Sequence, residues 1–260
     1  MLKELLSFLI SLKKFQANTS IHWLFLMTFL SLISILTPGT YLPTLSSLSS
    51  IMYSISDDIL KRTSDSYRRI RNTIRFLLGN LNDFNNEDAV GKDKLTELDK
   101  WMVYRTKSLQ DEIKQDYENF QFHQAFQKIH NFCANDLGGF YLDILKDRLY
   151  TAKTDSDARR SSQTALSNIL QALLRWISPV LSFTAEEAWL LMEEDEDSVH
   201  LLEWFEDWND FGELKISDDE WNKVLEIRSE VNKHIEETRN QEIIGSALEA
   251  DLELCCDKSL

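Results

Sequence analysis

Glycine and proline are scarce in this chain, with seven Gly and three Pro in 260 residues. A sandwich or barrel of many short strands needs frequent turns, and turns draw on Gly and Pro for backbone angles that other residues avoid. Long helices need few of either. At 43% hydrophobic and 11% aromatic content the chain can bury a sizeable core. The expectation is therefore an ordered, mainly α-helical protein. The cysteines are Cys133 and the adjacent pair Cys255 and Cys256. They lack the separated thiolate pairs of a structural zinc site, which fits a reducing, cytoplasmic setting. Cys133 reads as a small buried apolar residue on a helix, with no partner motif that would make it a nucleophile.

Residues 1–56 differ from the rest. No Asp, Glu, Lys or Arg occurs from Phe15 to Ser56, and Ile21 to Leu36 is mostly apolar before the turn signal Pro38-Gly39. Three readings are open. The run is at the short end for a membrane span. It also has the basic-then-apolar order of a signal sequence, though without a small-residue cleavage site. The reading favoured is an N-terminus unrelated to the fold that follows, because charge and helical periodicity begin together at Asp57.

From there, Tyr67, Ile70, Ile74, Leu77 and Leu81 predict one face of a helix over 57–83. A second helix is predicted over 95–117, with Leu98, Met102, Arg105, Leu109 and Ile113 along one side. A third carries Phe122, Phe126, Ile129 and Cys133, loosens at Gly138-Gly139, and continues through Phe140, Leu142, Ile144 and Leu145. Leu166, Ile169, Leu170, Leu173 and Ile177 mark a fourth, ended by Pro179. Thr184 with Glu187 has the spacing of a capping box and predicts the start of a fifth. The acidic run 193–197 reads as a solvated loop without calcium-loop spacing. A last helix is predicted over 218–241, and Ala247, Leu248, Ala250, Leu252 and Leu254 then suggest a short, incomplete β element. The expected organisation is a hydrophobic segment 1–56, a helical bundle 57–215, and a long helix opening a further subdomain over 216–260.

The net charge is −15. Residues 1–56 hold three Lys and one Glu, so 25 basic and 42 acidic residues leave −17 on residues 57–260. Such a body repels nucleic acid at long range, and any RNA contact must rest on a local basic face. Two candidates exist. On the first helix Lys61, Ser64, Arg68, Arg71 and Arg75 recur at steps of three and four, flanked by Arg62 and Arg69, and form a stripe suited to phosphates. Lys146, Arg148, Lys153, Arg159 and Arg160 cluster at the turn between the third and fourth helices. For each arginine the alternative is a bridge to a carboxylate of a neighbouring helix. No glycine-rich phosphate loop, zinc-binding His pair or nucleophile elbow is present, and the five histidines are scattered. No catalytic residue and no metal ligand is assigned.

A family resemblance enters at Asp65-Ser66-Tyr67-Arg68-Arg69-Ile70-Arg71-Asn72-Thr73, which is similar to the opening helix of the anticodon-binding domain in isoleucyl-tRNA synthetases. Phe140-Tyr141-Leu142-Asp143, Lys146-Asp147-Arg148 and the string from Trp176-Ile177-Ser178-Pro179 to Ala188-Trp189 follow in the family's order. Tyr150-Thr151-Ala152-Lys153, Val231-Asn232-Lys233 and the run from Ile244 to Ala250 resemble the bacterial isoleucine enzyme in particular.

The resemblance covers residues 57–260. It implies an all-α helical bundle of the class I synthetase anticodon-binding type that holds tRNA(Ile). The family's ATP-using core, its editing domain and its cysteine-rich zinc module have no counterpart here. The chain is thus expected to be a piece of such a ligase, with no cofactor and no charging activity of its own; whether it pairs with a separate catalytic fragment is left open by the sequence. The alternative is a membrane-tethered acidic interaction domain without an RNA partner, anchored only through 1–56.

Overall fold

The computed structural model describes residues 57–192 and 198–255. The segment 1–56, with its possible membrane insertion, and the acidic run 193–197 lie outside the described residues. The chain divides into two compact units between Gly212 and Glu213.

In the first unit the helices are α1 (Asp57–Leu81), α2 (Glu97–Glu118), α3 (Phe122–Asn131), a π-helical segment (Phe132–Tyr141), α4 (Leu142–Thr151), α5 (Asp157–Ile177) and α6 (Ser182–Trp189). Short 3-10 turns sit at Asn86–Asp88 and Val199–Leu201. The periodic stripe of α1 is buried at Ile70, Ile74 and Leu77. Helix α5 is the centre of the bundle and packs against the other five α-helices of the unit. Leu166, Ile169, Leu170, Leu173, Leu174 and Trp176 on it are fully buried. Its start is set by Ser156, whose hydroxyl accepts from the Arg159 amide, and it ends at Ile177, two residues before Pro179. Thr96 caps α2 in the same manner through the Asp99 amide.

The π-helical segment explains the glycine pair. A π turn closes on the residue five back, one further than an α turn. A Cβ on Gly138 would lie 3.0 Å from the Cys133 carbonyl oxygen, and one on Gly139 would lie 3.4 Å from that of Ala134. The segment also turns Phe132, Cys133, Leu137, Phe140 and Tyr141 inward.

Behind these apolar contacts lies a buried polar network centred on Asp99, whose side chain is wholly inaccessible. It accepts hydrogen bonds from Tyr141 at 2.7 Å, Ser161 at 2.5 Å and Thr96 at 2.8 Å, and pairs with Arg148 at 3.5 Å. The network ties α2, the π segment, α4 and α5 together. Burial, then the neighbouring Asp99 carboxylate, pushes the Tyr141 hydroxyl well above its usual range.

Three local expectations are corrected. The capping box at Thr184 does not form: α6 begins at Ser182 with Leu181 as its first carbonyl acceptor, so Thr184 falls inside the helix. Its buried hydroxyl shares a 3.2 Å hydrogen bond with Tyr67, and Glu187 turns to Arg71. Phe122 and Ile144 are each 40% exposed instead of core. Phe122 opens α3 at the bundle's end, where its ring meets Tyr117 and Phe120.

In the second unit, α7 (Asp218–Asn240) starts with a full capping box, in which the Ser217 hydroxyl accepts from the Glu220 amide and the Glu220 carboxylate accepts from the Ser217 amide at 2.8 Å. The Ser217 backbone amide holds the Glu220 carboxyl below its usual range. The β element is the third correction, for no strand occurs among the described residues. Ala247–Glu249 forms a 3-10 turn closed by the Glu249 carboxylate on the Gly245 amide at 2.8 Å. Leu252 and Leu254 are 58% and 61% exposed. An alternating run becomes a strand only where a second edge satisfies its backbone, and none is present among the described residues.

Candidate nucleic-acid interface

The α1 stripe faces solvent throughout. Lys61, Arg62, Arg68, Arg69, Arg71 and Arg75 are all exposed. Arg68 contacts Asp65 one turn back at 2.6 Å with its side chain 69% exposed, and Arg71 reaches Glu187 of α6 at 3.3 Å. Pairs this open contribute at most about 1 kcal/mol and yield readily to a phosphate. Lys61, Arg62, Arg69 and Arg75 have no side-chain ion pair or hydrogen bond among the described residues. From Lys61 to Arg75 the helix rises about 21 Å, enough to face several phosphates of a nucleic-acid backbone.

The second basic set divides. Lys146 pairs with Asp143 at 2.9 Å on the surface, and Lys153 is exposed. The three arginines point inward. Arg148 joins the Asp99 network and also donates to the Thr96 hydroxyl at 3.1 Å. Arg159, only 13% exposed, grips Asp83 with both arms at 2.5 and 3.0 Å. Arg160 donates to the Asp83 carbonyl and to Gln163, each at 2.9 Å, and lies 3.5 Å from Asp88. Arg159 and Arg160 thus fasten the start of α5 to the loop after α1, and the surplus of carboxylates that made such bridges an alternative supplies their partners.

The Arg159 fork is the main reason the Asp83 carboxyl sits below its usual range, against the opposing effect of burial. A carboxyl lowered in the fold contributes stability that is present above its unfolded pKa of about 3.9 and is lost as pH falls through the folded value. Asp83→Asn is therefore expected to flatten the acid limb of the stability curve. Since Asp83 is 37% exposed, the change should be no more than about 1 kcal/mol. Urea midpoints of the two proteins should converge as pH is lowered below about 4, and parallel curves would contradict this role.

Tertiary folding also makes an open groove of about 400 Å³ between α1 and the end of α4, lined by Asn72, Arg75, Phe76, Gly79, Asn80 and Tyr150. A larger cavity of about 540 Å³ lies between α5 and the segment 202–209, but Glu203, Glu206 and Asp207 line it and would repel phosphate. There Arg175 stands over the rings of Trp189 and Phe205 at 5.3 and 5.2 Å.

Among the described residues no cluster of His, Cys, Asp or Glu could hold a metal ion, and no helix is long and apolar enough to cross a membrane. Burial pushes the Cys133 thiol up to about 12, which removes it as a nucleophile at neutral pH.

A family model for the anticodon-binding domain of tRNA ligases matches residues 99–254, more than half of the chain. The chain belongs to this family. It is 50% identical over 209 residues to an isoleucine–tRNA ligase of Shewanella woodyi, a match covering 79% of this chain and 22% of that protein. Identity is 48% over 209 residues to the isoleucine–tRNA ligase of Idiomarina loihiensis, with the same coverage. With that of Coxiella burnetii it is 49% over 216 residues, or 81% of this chain and 23% of the relative. The chain spans between a fifth and a quarter of the length of the relatives it matches.

The family match opens at Asp99, the buried hub of this anticodon-binding domain, so the α1 stripe stands just outside the matched range. Asn72 and Tyr150 were not among the candidates drawn from sequence. The available signal was Tyr150 one helical turn after Lys146, on the solvent side of α4.

Proposed function

We propose that this anticodon-binding domain holds tRNA(Ile) for isoleucine–tRNA ligation in the cytoplasm, through the exposed cations of α1. The carrying observation is that Lys61, Arg62, Arg69 and Arg75 stand free of carboxylates among the described residues of a chain whose net charge is −15. A strip of exposed cations without internal partners is open to an external anion such as a phosphate. The isoleucine-ligase relatives support the identity of the RNA.

The work is positional. Contacts to phosphates orient the tRNA so that its acceptor end reaches an active site carried outside these residues, and base contacts then select the tRNA. ATP chemistry and any zinc module belong to that remainder of the enzyme. Residues 57–215 form the binding bundle and 216–260 open a further subdomain.

Replacing Lys61, Arg62 and Arg69 by Glu tests the proposal, because all three are exposed and their exchange spares the core. Each phosphate contact contributes roughly 0.7–0.9 to the slope of log affinity against log salt. The triple variant is expected to lower that slope by about 2–3 and to weaken tRNA(Ile) binding about a hundredfold at moderate salt. An unchanged affinity and slope, in a variant with wild-type helicity, would overturn it.

A further inference from the structure

Helix α6 carries apolar side chains on both sides. Ala185, Ala188 and Trp189 are buried against the bundle. On the outer side Phe183 is 43% exposed, and Leu190 and Leu191 at the helix end are 63% and 67% exposed. Phe183 and Leu190 stand two turns apart and share a face. A surface helix ordinarily keeps that face polar, and a contiguous apolar patch there is the mark of a docking surface.

The surroundings limit the occupant. Glu187 lies between Phe183 and Leu190 on this face and pairs with Arg71 of α1 at 3.3 Å. Glu186 beside it accepts from the Val199 amide at 3.1 Å, which sets the Val199–Leu201 turn against α6. A second copy docking through the same face would bring these carboxylates toward one another, on chains that each carry a net charge of −15. An uncharged segment avoids that repulsion.

The chain holds such a segment. Ile21 to Leu36 is mostly apolar, and no Asp, Glu, Lys or Arg occurs from Phe15 to Ser56. It joins the bundle at Asp57, the first residue of α1. Tyr67 meets Thr184 and Arg71 meets Glu187, so α1 and α6 run in the same general direction and the start of α1 lies toward the Phe183 end. Asp57 is about 15 Å before Tyr67 along the helix axis. A chain of about 20 residues, the separation of Leu36 from Asp57, spans on average about 25 Å. The α6 face is therefore within reach of the segment, at an effective concentration on the order of millimolar.

We propose that the apolar segment 21–36 folds back on its own bundle and covers the outer face of α6 at Phe183, Leu190 and Leu191. This contact needs no RNA and stands apart from the binding role of α1.

The test uses the full 260-residue chain without detergent, with the photo-crosslinker p-benzoylphenylalanine in place of Phe183 and, as a control, in place of the exposed Tyr104 of α2. Mass spectrometry is expected to find cross-links from position 183 to residues 21–36 of the same chain, in a yield that does not change with protein concentration, and none from position 104. Leu190→Glu should lower that yield and the hydrogen-exchange protection of residues 21–36 about tenfold, the effect of losing one buried leucine. Leu190 is exposed, so its exchange should leave the thermal midpoint of the bundle unchanged. Leu26→Asp combined with Ile33→Asp, which alters the segment and not the bundle, should have the same effect on the yield.

Equal yields from positions 183 and 104, or a yield indifferent to both variants, would overturn the proposal. Cross-links that join isotopically heavy to light chains would overturn it in favour of a second copy on α6. Recovery of the chain only with lipid vesicles would overturn it in favour of a segment held in a membrane.

Discussion

Asp99→Ala is expected to lower the unfolding free energy by about 3–5 kcal/mol, the range for removing one partner of a buried charge pair. The carboxylate is wholly inaccessible and satisfies donors from Tyr141, Ser161 and Thr96 beside Arg148. Alanine would remove the acceptor that the buried Tyr141 and Ser161 hydroxyls and the partly exposed Arg148 share. Asp99→Asn keeps the volume but turns an amide N–H₂ toward groups that are themselves donors. Its cost should be smaller, about 2 kcal/mol. At roughly 2–4 °C per kcal/mol for a domain of this size, Asp99→Ala should lower the thermal midpoint by on the order of 10 °C. A loss of less than about 1 kcal/mol by urea unfolding would mean that the network contributes no more than a surface pair.

Trp176→Ala is expected to cost a similar amount, about 3–5 kcal/mol, by a different mechanism. Trp176 is fully buried on α5, its ring 5.8 Å from that of Phe132. Most of the loss is cavity and lost transfer energy. The remainder comes from the indole N–H, which donates to the Gln110 carboxamide oxygen at 3.0 Å while the Gln110 amide donates to the Phe205 carbonyl at 2.8 Å. One glutamine therefore couples the core tryptophan to the segment 202–209. Trp176→Phe should restore much of the volume yet orphan Gln110, retaining a deficit of about 1–3 kcal/mol. A cycle combining Trp176→Phe with Gln110→Leu should show coupling of at least about 0.5 kcal/mol, and strict additivity would exclude the link. Hydrogen exchange around Phe205 should rise in Gln110→Leu, since the loop loses its anchor.

The helical class was readable because it depends on local quantities. Scarce Gly and Pro removed turn-rich architectures, and the spacing of Ile70, Ile74 and Leu77 placed one face of α1 inward, where all three are buried. Pro179 marked the end of α5 for the same local reason. Local signals failed where a pattern has two meanings. Thr184 and Glu187 have capping spacing, but that spacing also brings two residues to one face within a helix, and the start at Ser182 decided between them. The alternation after Ala247 is strand-like, yet a strand is a property of two edges. Phe122 opens α3 ahead of its buried positions, and Ile144 stands off the face of α4 that buries Leu142, Leu145 and Leu149.

Sequence alone thus determined the fold class, the inward face of most helices and the outward cationic stripe of α1, because each follows from how side chains are spaced around one helix axis. Only the tertiary structure decided which cations remain available. Arg159 meets Asp83 across 76 residues and Arg148 meets Thr96 across 52, whereas Arg75 finds no acid and instead shares a groove with Tyr150. The reason is range. A helix's own periodicity says which side chains share a face, but the pairing of charges distant in sequence depends on how helices are packed, and that is set by the shapes of the buried side chains.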